Sequence, residues 1–186
     1  DPDGIDTEKL EFVMDLKNVR RGRIKEYAEK YPNATYTEAD RSLDHNPLWN
    51  HEAQCAFPSA TQNEINLKDA QNLIEKGVYL ISEGANMPSV PDAVNLFVEH
   101  KLLYGPGKAA NAGGVAVSGL EMSQNSMRYS WSREEVDAKL KNIMASIHTS
   151  CVEAAEAYGT PGNYVNGANI AGFLKVANAM MDQGVV

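Results

Sequence analysis

Apolar residues recur at helical spacing from the first turns of the chain. Leu10, Val13, Met14 and Leu16 trace one stripe behind Asp6 or Thr7, either of which can cap an N-terminus. Gly22 marks a break, and a second helix through Ile24, Tyr27 and Ala28 is predicted to stop at Pro32. Thr35-Tyr36-Thr37 has the β-branched and aromatic make-up of a short strand. Residues 38–52 lose periodicity and read as a surface loop carrying Asp44, Asn46, Pro47 and Asn50.

From there strand and helix patterns alternate. Gln54-Cys55-Ala56-Phe57 reads as a strand ending at Pro58. Residues 66–76 read as a helix capped by Asn66, with Leu67, Ala70, Leu73 and Ile74 on one face and Gly77 as its stop. Val78-Tyr79-Leu80-Ile81-Ser82 is an unbroken apolar run, the pattern of a strand covered on both faces of a parallel sheet. A helix from Pro91 to His100 follows, then a last strand at Leu102-Leu103-Tyr104 closed by Gly105-Pro106-Gly107.

The remainder is predicted to be helical: one segment from Gly107 to about Tyr129, a second opened by the Ser132-Arg133-Glu134-Glu135 capping box and ended by Gly159-Thr160-Pro161-Gly162, and a third from about Asn169 to Asp182. Short strands alternating with crossover helices give an α/β fold with a doubly wound parallel sheet, followed by C-terminal helices.

Composition narrows the partners. A formal net charge of -8 argues against nucleic acid or an anionic membrane surface as a bulk partner. No apolar run approaches a membrane span. Cys55 and Cys151 lack metal-type spacing, which suits a reduced, cytoplasmic setting. Asp1 to Asp6 reads as a turn without an initiating Met, as though something preceded it.

Ligands of open parallel sheets sit at the carboxyl ends of the strands. Three loops leave those ends here: residues 58–63, 83–88 and 105–111. Each pairs small residues with an amide, Asn63, Asn86 or Asn111. Small residues let a flat ligand approach the backbone, and an amide both donates and accepts. Taken singly, each asparagine reads as a turn residue; the three together point to a site for a neutral bifunctional group such as a carboxamide or a ribose.

Other chemistry is not signalled. His45, His51, His100 and His148 form no metal spacing, and Ser118 sits in no nucleophile elbow. Met122, Met127, Met144, Met180 and Met181 read as core filler. The basic run Lys17, Arg20, Arg21, Arg23, Lys25 reads by composition as a solvated helix face. No Gly-x-Gly-x-x-Gly opens a strand–helix turn, so the sheet is of cofactor type without its phosphate-binding corner.

Four runs carry a resemblance: Ala60-Thr61-Gln62-Asn63-Glu64, Glu83 to Pro88, Pro106 to Val115, and Ser118-Gly119-Leu120-Glu121-Met122. Asn163 to Val165, Gly167 to Phe173 and Ala179 to Met181 extend it. In this order they resemble the C-terminal part of hexameric, NADP-dependent glutamate dehydrogenase.

The resemblance implies a partial Rossmann-like domain over residues 1–110 and a helical segment over 111–186 lining the interdomain cleft. It implies reversible deamination of L-glutamate to 2-oxoglutarate and ammonia with NADP, NAD being the lesser candidate, in a homohexamer. Ala60, Thr61, Asn86 and Asn111 would meet the nicotinamide-ribose end of the cofactor. Gly114 and Val115 would line the glutamate pocket, and Ser118 would bond the substrate's γ-carboxylate. Lys17, Arg20, Arg21 and Arg23 become candidates for the adenosine 2′-phosphate. The family's proton-transfer lysine and aspartate have no counterpart here, so the chain alone is expected to be inactive and to self-associate through an uncovered sheet edge. The alternatives are a stand-alone nucleotide-binding or assembly module, and a dehydrogenase for an apolar amino acid, against which Ser118 speaks.

Overall fold

The computed structural model describes residues 1–40 and 42–184. They fall into two compact units, Asp1–Asp40 and a second that holds the rest of the described chain.

In the first unit, helix α1 (Thr7–Met14) starts where Asp6 accepts the Lys9 N–H at 2.9 Å, the expected cap. It runs into a π turn, Asp15–Val19, and closes at Gly22, whose N–H reaches the Leu16 carbonyl at 2.9 Å. Leu16 is the fully buried residue of that turn. Helix α2 (Lys25–Lys30) then brings Tyr27 and Tyr31 beside Phe12, with Lys30 4.4 Å from the Phe12 ring centre. Thr35-Tyr36-Thr37 does not form the predicted strand. Its β-branched and aromatic residues favour a strand, but a strand needs a ladder and none pairs with them among the described residues.

The second unit is built on three parallel strands in the order β1 (Cys55–Ala56), β2 (Leu80–Ser82), β3 (Leu103–Gly105). The register places Ala56 beside Ile81, and Ile81 beside Tyr104. Helix α3 (Leu67–Glu75) joins β1 to β2, and α4 (Pro91–Glu99) joins β2 to β3. Asn66 caps α3 as expected, in a reciprocal box with Asp69, and Gly77 beyond its end takes φ +86°.

The core gathers Ile65, Leu73, Ile81 and Phe97, all 2% exposed or less. Burying a side chain of that size contributes about 1.5–3 kcal/mol. The 38–52 loop is not wholly irregular: Asn46 caps a 3-10 turn, Pro47–Asn50, that delivers Trp49 to this core.

Four helices follow. The single predicted segment after β3 is broken at Asn111 and Ala112 into α5 (Gly107–Ala110) and α6 (Gly113–Met127). Helix α7 (Arg133–Ala157) begins at the expected Ser132/Glu135 box. Helix α8 (Tyr164–Gln183) starts five residues before the predicted Asn169, because Asn163 supplies a cap to the Asn166 N–H.

Gly167 lets α7 and α8 cross closely, since a Cβ there would stand 2.0 Å from the Cys151 carbonyl oxygen. The methionines correct a further expectation. Met122, Met127, Met180 and Met181 are exposed, not core, because nothing described covers the outer faces of α6 and α8. Among the described residues no helix is long and apolar enough to cross a membrane.

Candidate functional site

The three loops predicted to carry a site do converge at the carboxyl edge of the sheet. The N–H groups of Gly84 and Ala85 both reach the Pro58 carbonyl, at 2.9 and 3.1 Å, tying the loop after β2 to the loop after β1. Asn63 donates its backbone N–H to the Met87 carbonyl at 3.0 Å. The loop after β3 is fastened twice to that after β2: the Gly107 N–H to Glu83 Oε2 at 2.7 Å, and Asn111 Nδ2 to the Ala85 carbonyl at 3.1 Å.

The small residues are needed for this closeness. A Cβ on Gly84 would stand 2.3 Å from Ser59 Oγ, and one on Gly107 2.8 Å from the Ala85 carbonyl oxygen. Asn63 and Met87 themselves sit at φ +56° and +51°, the left-handed region that asparagine tolerates better than methionine.

Asn86 is exposed, and its amide has no hydrogen-bond partner among the described residues. Asn111 spends one donor on Ala85 and keeps Oδ1 available to accept. Ala60 and Thr61 lie exposed on the first loop, where Glu64 Oε1 accepts the Ala60 N–H at 2.9 Å. Gly114, Val115 and Ser118 share one exposed face of α6, Val115 at 74% exposure. Gly113 packs toward Leu140 and Met144 of α7, whereas a Cβ on Gly114 or Gly119 would meet nothing within 4 Å. The glycines of α6 therefore serve two purposes, one toward a helix and the others toward open space. Ser118 Oγ turns back to the Gly114 carbonyl at 3.3 Å, a weak bond that a better acceptor can replace.

A cleft of about 460 Å³ opens beside the loops, lined by Asn63, Glu83, Asn86, Ser89, Tyr104 and Lys108 among others. Asn86 belongs to it; Ala60, Thr61, Asn111, Gly114, Val115 and Ser118 do not. Glu83 and Ser89 are buried yet Glu83 Oε1 and Ser89 Oγ lack partners. Burial, and then the Glu83 carboxylate, hold the Tyr104 phenol well above its ordinary range. Sequence reading passed over these three. The signal was a carboxylate, Glu83, directly after the last residue of β2.

In the first unit the basic run is not uniform. Arg20 pairs with Asp15 at 2.8 Å and lies 4.9 Å from the Phe12 ring centre, and Lys17 Nζ bonds the Gly22 carbonyl at 3.0 Å. Arg21 and Arg23 have side chains without such partners among the described residues. No group of three or more His, Cys, Asp or Glu among the described residues is arranged to hold a metal.

Comparison with known proteins decides the lineage. The glutamate/leucine/phenylalanine/valine dehydrogenase profile matches residues 1–184. The chain belongs to this dehydrogenase family. It is 60% identical over 189 residues to an NAD(P)-specific glutamate dehydrogenase of Xylanibacter ruminicola, spanning 100% of this chain and 40% of that protein. An NADP-specific glutamate dehydrogenase of Giardia intestinalis is 50% identical over 186 residues, covering 100% of the chain and 41% of the relative. An NAD-specific one of Bacteroides fragilis is 49% identical over 190 residues, covering 100% and 40%. The crystal structure of Plasmodium falciparum glutamate dehydrogenase superposes with a TM-score of 0.88 at 48% identity, over 100% of this chain and 39% of that one. The family member described here thus spans about two fifths of the length of these relatives, and its open parallel α/β sheet is theirs.

Proposed function

We propose that this chain is the C-terminal part of a glutamate dehydrogenase that interconverts L-glutamate with 2-oxoglutarate and ammonia, using NADP(H). The observation that carries the reading is the fastening of three strand-end loops, 58–63, 83–88 and 105–111, into one rim that keeps the Asn86 amide and Asn111 Oδ1 available. Such a rim suits a flat ligand with both donors and acceptors. The names of the 49–60% identical relatives supply the substrate class.

In this reading residues 1–110 are an incomplete nucleotide-binding domain, and residues 111–186 line a cleft to another domain. Asn86 and Asn111, with the Ala60-Thr61 turn, hold the nicotinamide-ribose end of the cofactor. The bound cofactor supplies the hydride carrier. Gly114 and Val115 leave room for glutamate at the start of α6, whose N-terminus favours a negative charge. Ser118 releases its bond to Gly114 and donates to the γ-carboxylate. Arg21 and Arg23, whose side chains are unpartnered among the described residues, are the candidates for the 2′-phosphate, rather than the occupied Arg20 and Lys17.

We place the protein in the cytoplasm, where the free Cys55 and Cys151 stay reduced, and in a homohexamer. The net charge of -8 disfavours nucleic acid and an anionic membrane surface as partners. In this reading the proton-transfer groups belong to a part of the dehydrogenase other than residues 1–186, and residues 1–186 alone are expected to be inactive.

The test is glutamate-dependent NADP⁺ reduction by the whole protein, followed at the nicotinamide absorbance, beside the same assay on residues 1–186. Turnover by the whole protein and none by the chain is expected. Leucine or valine as the preferred substrate would overturn the assignment.

A further inference from the structure

The cleft beside the loop rim contains a feature that the dehydrogenase reading does not use. Glu83 is 3% exposed and Ser89 7%. Glu83 Oε2 is satisfied by the Gly107 N–H at 2.7 Å, but Oε1 has no partner, and neither has Ser89 Oγ. The Tyr104 phenol interacts with both groups, but neither Glu83 Oε1 nor Ser89 Oγ holds a hydrogen bond of good geometry. Lys108 lines the same cleft, but its Nζ is held by Asn169 Oδ1 at 2.7 Å and makes no ion pair with Glu83. A carboxylate so buried, with one oxygen open and no counter-charge, costs free energy unless something binds it.

Met87, Val94, Pro106 and Val165 add apolar surface to the lining. The volume, about 460 Å³, exceeds that of a bare ion and falls in the range of small-molecule pockets. We infer that this cleft binds a small primary amine, its ammonium group donating to Glu83 Oε1 and Ser89 Oγ while its carbon body rests on the Val94 and Val165 side. An ammonium has three donors and a positive charge, which answers both the open oxygen and the missing counter-charge. An anion is disfavoured, because Glu83 would face it. Asn86 stands on the rim shared with the cofactor contact proposed above, but the inference rests on Glu83 and Ser89 and not on that reading.

The test uses the whole protein labelled with ¹³C at the glutamate carboxyls, the Glu83 resonance being assigned with Glu83→Gln. Titration with n-butylammonium chloride is expected to move the Glu83 resonance saturably, with potassium chloride at equal ionic strength leaving it in place. Ser89→Ala is expected to weaken the amine at least tenfold with the folded spectrum retained. An unmoved Glu83 resonance, or an equal shift with potassium, would overturn the inference. Glutamate oxidation is assayed separately, so failure of the amine site and failure of the dehydrogenase reading are told apart.

Discussion

Glu83 at the end of β2 accepts the Gly107 N–H at the start of α5, at 2.7 Å, and thereby locks the second strand-end loop to the third. The contact works only because residue 107 lacks a side chain. A Cβ there would stand 2.8 Å from the Ala85 carbonyl oxygen and 3.3 Å from Glu83 Oε2. Backbone on one side and a fixed carboxylate on the other leave little room to yield. Gly107→Ala is expected to destabilise by about 1–3 kcal/mol, the usual cost of overpacking. Urea unfolding of the two proteins checks it; a midpoint unchanged by the substitution would mean that the loops are not locked there.

Gly167→Ala is expected to cost more than Gly107→Ala. Its Cβ would meet the Cys151 carbonyl at 2.0 Å, so α7 and α8 must separate along their whole crossing. Cys151, Ala154 and Ala155 are buried on α7 and Gly167 on α8. A separation uncovers all four. Gly172→Ala, with nothing within 4 Å of its Cβ, is the control on the same helix and should be neutral or stabilising by up to about 1 kcal/mol.

Asp44 makes stability depend on pH in acid. Its hydrogen bond to Lys68, then that to His45, lower its carboxyl to about 2. A carboxyl depressed in the folded state adds stability above its unfolded value of about 3.9, and that contribution disappears as pH falls through the folded value. The stability gap between the protein and Asp44→Asn is therefore expected to be constant from pH 7 to 5, to shrink below pH 4 and to close near pH 2. The pair is exposed, so the gap is small. Urea midpoints at pH 6, 4 and 2.5 check the direction; a gap that widened in acid would contradict it.

The two unpartnered arginines separate the cofactors. Losing one charge-assisted contact to a phosphate costs about 1.5–3 kcal/mol, so Arg21→Ala or Arg23→Ala is expected to weaken NADPH about tenfold or more and to leave NADH nearly unchanged. Arg20→Ala should instead lower stability without changing the NADPH-to-NADH ratio, since Arg20 is engaged by Asp15 and Phe12. Fluorescence titration of the whole protein with both nucleotides reads this.

What the sequence disclosed was mostly local. Caps at Asp6, Asn66 and Ser132 and the stop at Gly77 are short-range signals, and each stands where the pattern placed it. The apolar run 78–82, by contrast, pairs only over Leu80–Ser82 and leaves Tyr79 54% exposed instead of covered on both faces. The convergence of three amide-bearing loops was legible too, because parallel strands put their carboxyl ends on one edge. Signals that depend on distant partners were lost. Thr35 to Thr37 had strand residues but no neighbouring strand, and the exposed methionines of α6 and α8 have core chemistry but no described cover. Glu83 and Ser89 were illegible as a pair, since their burial beside Tyr104 in one cleft is set by tertiary packing. The uneven occupancy of the basic run likewise needed coordinates to separate Arg20 from Arg21.

The central claim is that Ser118 on the open face of α6 reads the substrate's side-chain carboxylate. The measurement is kcat/KM of the whole protein for L-glutamate and for L-norvaline, which lacks that carboxylate, before and after Ser118→Ala. A hydrogen bond to a charged group is worth about 1.5–3 kcal/mol, so the preference for glutamate should fall about 10- to 100-fold, with affinity for NADP⁺ unchanged. A glutamate-to-norvaline ratio that survives the substitution would contradict the account.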